Sequence, residues 1–167
     1  MAESCECPSQ AGAATCDLRG VAPRAVCPTN GQVGKVVDVL TLKALLAAPL
    51  TQLQSNDWRF CGAPDCPTVY YSVDGAQCFG EADLRERVYQ KHPTEDEVFV
   101  CYCFRHTLGS IRTELRSTGS MTVIESIGAG IQAGKCACDI RNPQGSCCLG
   151  NARALVQRLR RETGASR

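Results

Sequence analysis

Thiolates are the first chemistry this sequence offers. The stretch from Val98 to Leu149 opens with VFVCYCF, which sets Cys101 and Cys103 one residue apart, and closes with KCACDIRNPQGSCCLG, which supplies Cys136, Cys138, Cys147 and Cys148. A chain that folds a Cys-x-Cys pair back onto a second cysteine group can hold four thiolates around one centre. Soft S4 sites favour zinc or iron–sulfur clusters. Zinc half-sites usually separate paired cysteines by about two to four residues, and neither end of this stretch has that form, so an iron–sulfur cluster is the expected occupant. A second centre is expected upstream. In WRFCGAPDCPTVYY, Gly62 and Pro64 suit a tight knuckle that turns Cys61 and Cys66 to one side, and Cys-x4-Cys is a zinc half-site. Cys27 is the third expected ligand, and the fourth is left open among Cys16, Asp65 and Cys78. Asn30 stands where a cysteine would complete Cys-x2-Cys with Cys27, and an amide is a poor substitute for a thiolate. Outside both groups, Cys5-Glu6-Cys7 could offer two thiolates for soft-metal transfer.

The composition frames these centres. The chain has 13 cysteines in 167 residues and a formal net charge of +1. Cysteine at this density marks either a disulfide scaffold or a reduced metalloprotein. The N-terminus MAESCECPSQ carries acids and no apolar run, which is not the form of a secretory signal, and no window has the length and apolarity of a membrane span. The expected setting is the cytoplasm, with metal binding rather than disulfides. Only Leu149 to Arg167 is lopsided in charge, with five Arg against one Glu. A basic end suits a helix C-terminus and gives no case for a nucleic-acid partner.

The elements that must position the cysteines read as an α+β protein: a small β-rich zinc-binding domain followed by a small helical domain holding the cluster. Residues 1–22 read as a flexible cysteine-containing tail, 23–92 as the zinc domain and 93–167 as the cluster domain. In the first domain, Lys35 to Val39 is a strand by its β-branched content, and Thr41 caps a short helix carrying Leu42, Leu45 and Leu46. Trp58 to Ala76 is strand, knuckle, strand and Asp-Gly turn. Glu81 to Gln90 is an amphipathic helix with Leu84 and Val88 inward. KHPTEDE, residues 91–97, is the linker, and His92 within it is expected to be exposed. Beyond it, a strand from Val98 to Phe104 precedes a helix capped by Thr107, carrying Leu108, Ile111 and Leu115 and ended by Gly119. Thr122 and Glu125 make a capping box for a helix lined by Val123, Ile124, Ile127 and Ile131. A third helix opens near Cys148 or Leu149 and buries Ala152, Leu155, Val156 and Leu159. Cys148 at its start would have its thiolate favoured by free amides and the helix dipole.

These residues carry a resemblance. The Cys101-Tyr102-Cys103 pair, the hairpin ending in IGAGIQAGKCAC and the run NPQGSCCLG resemble the [2Fe–2S] domain related to bacterioferritin-associated ferredoxin. The gaps from Cys103 to Cys136 and from Cys103 to Cys138, with 32 and 34 residues between, both satisfy that family's spacing. Its closing Cys-x2-Cys is replaced here by Cys136-x-Cys138 and Cys147-Cys148. Residues 26–150 look more specifically like the N-terminal region of CopZ-type copper chaperones, matched by RFCGAPDCPTVYY, VCYCFRHT and CDIRNPQGSCCLG. That resemblance implies a Zn2+ site and a [2Fe–2S] cluster in adjoining domains, copper handling in the cytosol, and electron transfer that reduces Cu(II) to Cu(I). With the family spacing, Cys101, Cys103, Cys136 and Cys148 are the expected cluster ligands, with Cys138 and Cys147 as substitutes.

The expected function is therefore one-electron transfer to copper, or to another soft ion such as mercury. It includes action in trans on a separate metal-carrier domain or transporter, because no Met-x-Cys-x2-Cys loop occurs in the sequence. The alternative is a non-redox zinc-binding interaction module. No catalytic residue is assigned: there is no Ser-His-Asp set, phosphate loop or carboxylate pair, and His106 reads as a helix N-terminal residue. Any enzymatic activity would be metal-ion reduction through the cluster.

Overall fold

A computed structural model describes residues 25–119 and 122–164. Four short strands form an antiparallel meander in chain order: β1 (Lys35–Val37), β2 (Trp58–Phe60), β3 (Thr68–Ser72) and β4 (Cys78–Gly80). β3 is buried along its whole length, because both of its faces are covered. Successive side chains of a strand point to opposite faces, and here they divide the molecule's chemistry. Tyr70 joins Val37, Leu42, Leu46, Trp58, Phe60 and Val88 in one apolar core, and Tyr71 packs with Cys27, Cys61 and Cys66. Helix α1 (Val39–Leu45) covers the first face with Val39 and Leu42.

Three local readings are corrected here. The N-cap of α1 is Asp38, whose carboxylate accepts from the Leu40 N–H at 2.7 Å. Thr41 lies inside the helix, fully buried, with its hydroxyl donating to Asp139 O. The helix expected from Glu81 to Gln90 is a single 3-10 turn over Glu81–Asp83, after which Leu84 is extended and bridges to Leu46. Arg85 then donates twice to the end of α1, from its backbone N–H to Leu45 O and from Nε to Leu46 O, both at 2.9 Å. Pairing with α1's exposed end outcompetes the weak helical pattern, as tertiary context commonly does. His92 is not free in solvent: its ring nitrogens meet Glu81 at 2.5 Å and Glu95 at 2.6 Å.

The second half forms its own core around β5 (Phe99–Cys101), β6 (His106–Thr107), α2 (Leu108–Thr118), α3 (Thr122–Gln132), α4 (Cys138–Arg141) and α5 (Leu149–Gly164). Helix α2 begins and ends as expected: Thr107 Oγ1 accepts from Ser110 N–H, and Gly119 closes it with a φ of 64°. That left-handed conformation suits glycine at a helix end. The Thr122–Glu125 box does not form. Thr122 instead donates from both its backbone and its hydroxyl to Glu114 of α2, at 2.7 and 2.5 Å. Leu155, Val156 and Leu159 of α5 are buried beside Leu108, Ile111, Val123 and Ile127. The turn between β5 and β6 contains Arg105 at φ 60°, whose guanidinium lies 3.9 Å from the Phe99 ring centroid and pairs with Glu86 at 2.9 Å. Arg105 is the one non-glycine residue with positive φ among those described, and its two side-chain contacts hold that conformation against its cost.

The two halves are in direct contact. α1 packs on α4, Tyr70 Oη donates to Pro143 O at 2.6 Å, and Gln90 reaches Gln144 at 2.6 Å. At Gly145, φ 63°, an added Cβ would lie 2.7 Å from Val37 Cγ2. No helix among the described residues is long and apolar enough to cross a membrane.

Candidate metal centres

The first centre forms at one end of the meander. Cys27 lies in a turn closed by Gly31 N–H to Cys27 O at 2.9 Å and Cys27 N–H to Gln32 O at 2.8 Å. Cys61 follows β2, and Cys66 closes the knuckle with its N–H on Ala63 O at 3.2 Å. The three sulfurs lie within 4.8 Å of one another and are buried, and Cys27 and Cys66 are 3.7 Å apart. A tetrahedron with thiolate–zinc bonds of roughly 2.3 Å has edges of about 3.8 Å, so the group fits Zn2+. Neither Asp65 nor Cys78 joins it. Asp65 is exposed, and Cys78 is exposed on β4 opposite Tyr71. Cys16, Cys5 and Cys7 lie outside the described residues.

Two polar neighbours support this group, Asn30, read in the sequence only as a poor substitute for a ligand, and Lys91, read there only as part of the linker. Asn30 Oδ1 accepts from Gln32 N–H at 3.0 Å, which turns its amide nitrogen toward Cys61 Sγ at 3.5 Å. Asn30 thus supports a ligand, at the very position where a cysteine would have completed the motif. The second is Lys91, whose charge favours the thiolate of Cys61 against the burial that raises it. Burial also pushes Cys27 up, but the amides of Asn30 and Thr29 and the thiols of Cys66 and Cys61 outweigh it and hold Cys27 below an ordinary thiol.

The second centre is assembled from three places in the chain. Cys101 ends β5, Cys103 lies in the turn that follows, Cys138 opens α4, and Cys148 immediately precedes α5. Cys103 and Cys138 are 3.6 Å apart, with Ala137 N–H donating to Cys103 Sγ at 3.3 Å. Cys101 and Cys148 form the other sulfur pair. The hydrogen bond with Cys148 lowers Cys101 to about 6 against burial, helped by the amides of Phe104 and Cys103, and the same bond with burial pushes Cys148 far up. Burial and the Cys103 sulfur push Cys138 up to about 12, opposed by the backbone amide of Cys148. In the Cys101–Cys148 pair the shared hydrogen bond favours the thiolate of Cys101 and the thiol of Cys148, an arrangement a cation replaces by taking the place of the shared proton. No three of these sulfurs meet within the 4.8 Å that gathers the first group. Cys136 sits half-buried at the rim of the core, and Cys147 is exposed.

Residues 24–85 match the family model of the CopZ-type zinc binding domain. The crystal structure of the Archaeoglobus fulgidus CopZ N-terminal domain superimposes with a TM-score of 0.66 at 29% identity, covering 78% of this chain and 96% of that one. This region is thus similar to CopZ-type zinc-binding domains. The mixed helix-and-sheet fold, with its small antiparallel β domain, is like that of the CopZ N-terminal domain. A comparison with curated proteins finds no match.

Proposed function

We propose that this chain handles a soft metal ion in the cytoplasm, with a structural Zn2+ on Cys27, Cys61 and Cys66 and a [2Fe–2S] cluster on Cys101, Cys103, Cys138 and Cys148. The observation that carries the second assignment is the division of its four sulfurs into two close pairs. One tetrahedral ion would draw all four to equal separations, as the first group already approaches, whereas two metals taking two thiolates each call for two pairs. Both gaps fit the family spacing, and Cys138 is preferred here to the expected Cys136 because Cys138 is buried against Cys103 and Cys136 is not. The surroundings fit such a group. Amides of Ala137, Phe104, Cys103 and Cys148 face the sulfurs, and Val100, Leu108, Ile127 and Leu155 exclude water around them. Hydrogen bonds to the sulfurs and limited solvent access are the protein's means of setting a cluster's potential.

A bound cluster would supply one electron at a time. The recipient is copper or another soft ion, presented free or on a separate carrier, a reading supported by the likeness of this chain to the CopZ N-terminal domain. The test is metal and sulfide analysis of protein purified after iron-replete expression, with a visible spectrum. About two irons and two labile sulfides beside one zinc per chain are expected. Colourless protein with two zincs and no sulfide would replace this reading with that of a non-redox zinc module.

A further inference from the structure

Lys91 opens the segment that sequence composition marks as a linker, yet its ammonium is committed. Nζ donates to Ala63 O at 2.7 Å, Cys66 O at 2.7 Å and Thr68 O at 2.8 Å. An ammonium has three donors, and all three are placed on carbonyls of one loop. Those carbonyls bracket the knuckle: Ala63 lies between Cys61 and Cys66, Cys66 is itself a ligand, and Thr68 starts β3. The stem is fixed from the other side, with Lys91 N–H on Val88 O at 2.9 Å and His92 clamped between Glu81 and Glu95.

The charge of Lys91 has no carboxylate partner among the described residues; its contacts are carbonyls alone. A half-buried cation held only by dipoles favours an anion nearby, and the loop whose carbonyls hold it carries Cys61 and Cys66, Cys66 O being one of the acceptors. Three thiolates around a divalent ion leave a net charge of −1, and a fourth thiolate would make it −2. Burying that excess charge is costly unless an opposite charge faces it.

We propose that Lys91 is the positioning residue and counter-charge of the first metal centre: it fixes the loop that aims Cys61 and Cys66 and offsets the negative charge of the metal–thiolate group. This rests on the reading of Cys27, Cys61 and Cys66 as a zinc site. Groups of this kind, beyond the ligands themselves, change metal affinity by about 10- to 100-fold when removed.

The test uses full-length, zinc-loaded protein and follows zinc transfer to a chromogenic chelator. K91M is expected to release zinc at least tenfold faster than wild type, K91R to recover most of the difference, and K91Q, which keeps donors without charge, to remain fast. In Co2+-substituted protein, the sulfur-to-cobalt charge-transfer band should move to lower energy in K91M and K91Q and stay in place in K91R. A role confined to loop packing would leave that band unmoved. If K91M does not fold, the comparison of K91R with K91Q decides. Zinc release at the wild-type rate in K91M, or equal rates in K91R and K91Q, would overturn the proposal. Wild-type protein that binds no zinc would overturn the zinc reading along with it.

Discussion

At the first centre three sulfurs converge on one point, whereas at the second four sulfurs close in two pairs. The difference follows from how each is built. Two ligands of the first centre come from one short knuckle, and its third from a turn laid against the same face of β3, so a local loop and one strand contact settle the geometry. The second joins the Cys101–Cys103 turn to Cys138 and Cys148 across two helices. Its pairing is decided by the packing of α2, α3 and α5 rather than by any single loop. Local geometry prepares a site for one ion, and distributed geometry can prepare one for a group with two metal atoms.

The largest expected effect tests the pairing itself. Cys101→Ser, Cys103→Ser, Cys138→Ser and Cys148→Ser should each lose most of the bound iron and the visible spectrum, while Cys136→Ser and Cys147→Ser keep both. Iron and sulfide content after identical purification is the measurement. Loss at Cys136 with retention at Cys138 would mean that the second centre rearranges on binding its group, and the contrast between the two centres would then lie in the metal rather than the fold.

Spacing did not separate Cys136 from Cys138, because both gaps fit and the choice depends on α4, a single turn that carries Cys138 inward. The capping of α2 by Thr107 and Gly119 and the buried face of α5 were legible, since both are set by residues within one or two turns. The meeting of Cys27 with Cys66, 39 positions on, is made by the fold, whereas the Cys61–Cys66 knuckle was legible for the same reason. The supposed helix from Glu81 and the supposed linker from Lys91 were not. Leu84 is claimed by Leu46 and Lys91 by the knuckle, partners remote in sequence, and His92 by Glu81 and the nearby Glu95, contacts that no spacing pattern marks.

Removing zinc with a strong chelator is the next test, because it asks whether the centres are independent. Small cores depend on metal for stability, so amide exchange should rise sharply in β2, β3 and the Cys27 turn. The rise should also reach Asn142 to Ser146, since Tyr70 holds Pro143 and Gln90 holds Gln144. It should reach Tyr102 too, whose hydroxyl accepts from Tyr89 N–H at 3.0 Å and donates to Arg87 O at 2.8 Å. Exchange confined to residues before Arg87 would make the halves independent units.

A single substitution on each side gives smaller, graded effects. At Gly130 an added Cβ would lie 2.2 Å from Phe104 Cζ, so Gly130→Ala must push the ring beside Cys103. Overpacking of this kind costs about 1–3 kcal/mol and should speed loss of the visible spectrum. Tyr70→Phe removes the buried bond to Pro143 O. It leaves that carbonyl without its partner, at a cost of about 1–3 kcal/mol in chemical denaturation, with zinc content unchanged.

The smallest effect is expected at Asn30, and it sharpens the comparison most. Asn30 is exposed, and its contact with Cys61 at 3.5 Å is long, so Asn30→Ala should speed zinc release by no more than about tenfold, the lower end for such neighbours. Asn30→Cys is the informative change. It places a thiolate where the amide now faces the ligand, in a turn already closed by the bonds between Cys27 and Gly31 and between Cys27 and Gln32. If the fourth position is held by a group weaker than a thiolate, Asn30→Cys should slow zinc release and move the Co2+ spectrum toward that of four sulfurs. If the spectrum of the wild-type protein is already that of four sulfurs, the substitution should change nothing. The fourth ligand would then be a cysteine outside the described residues, and the first centre would differ from the second in arrangement alone and not in donor set.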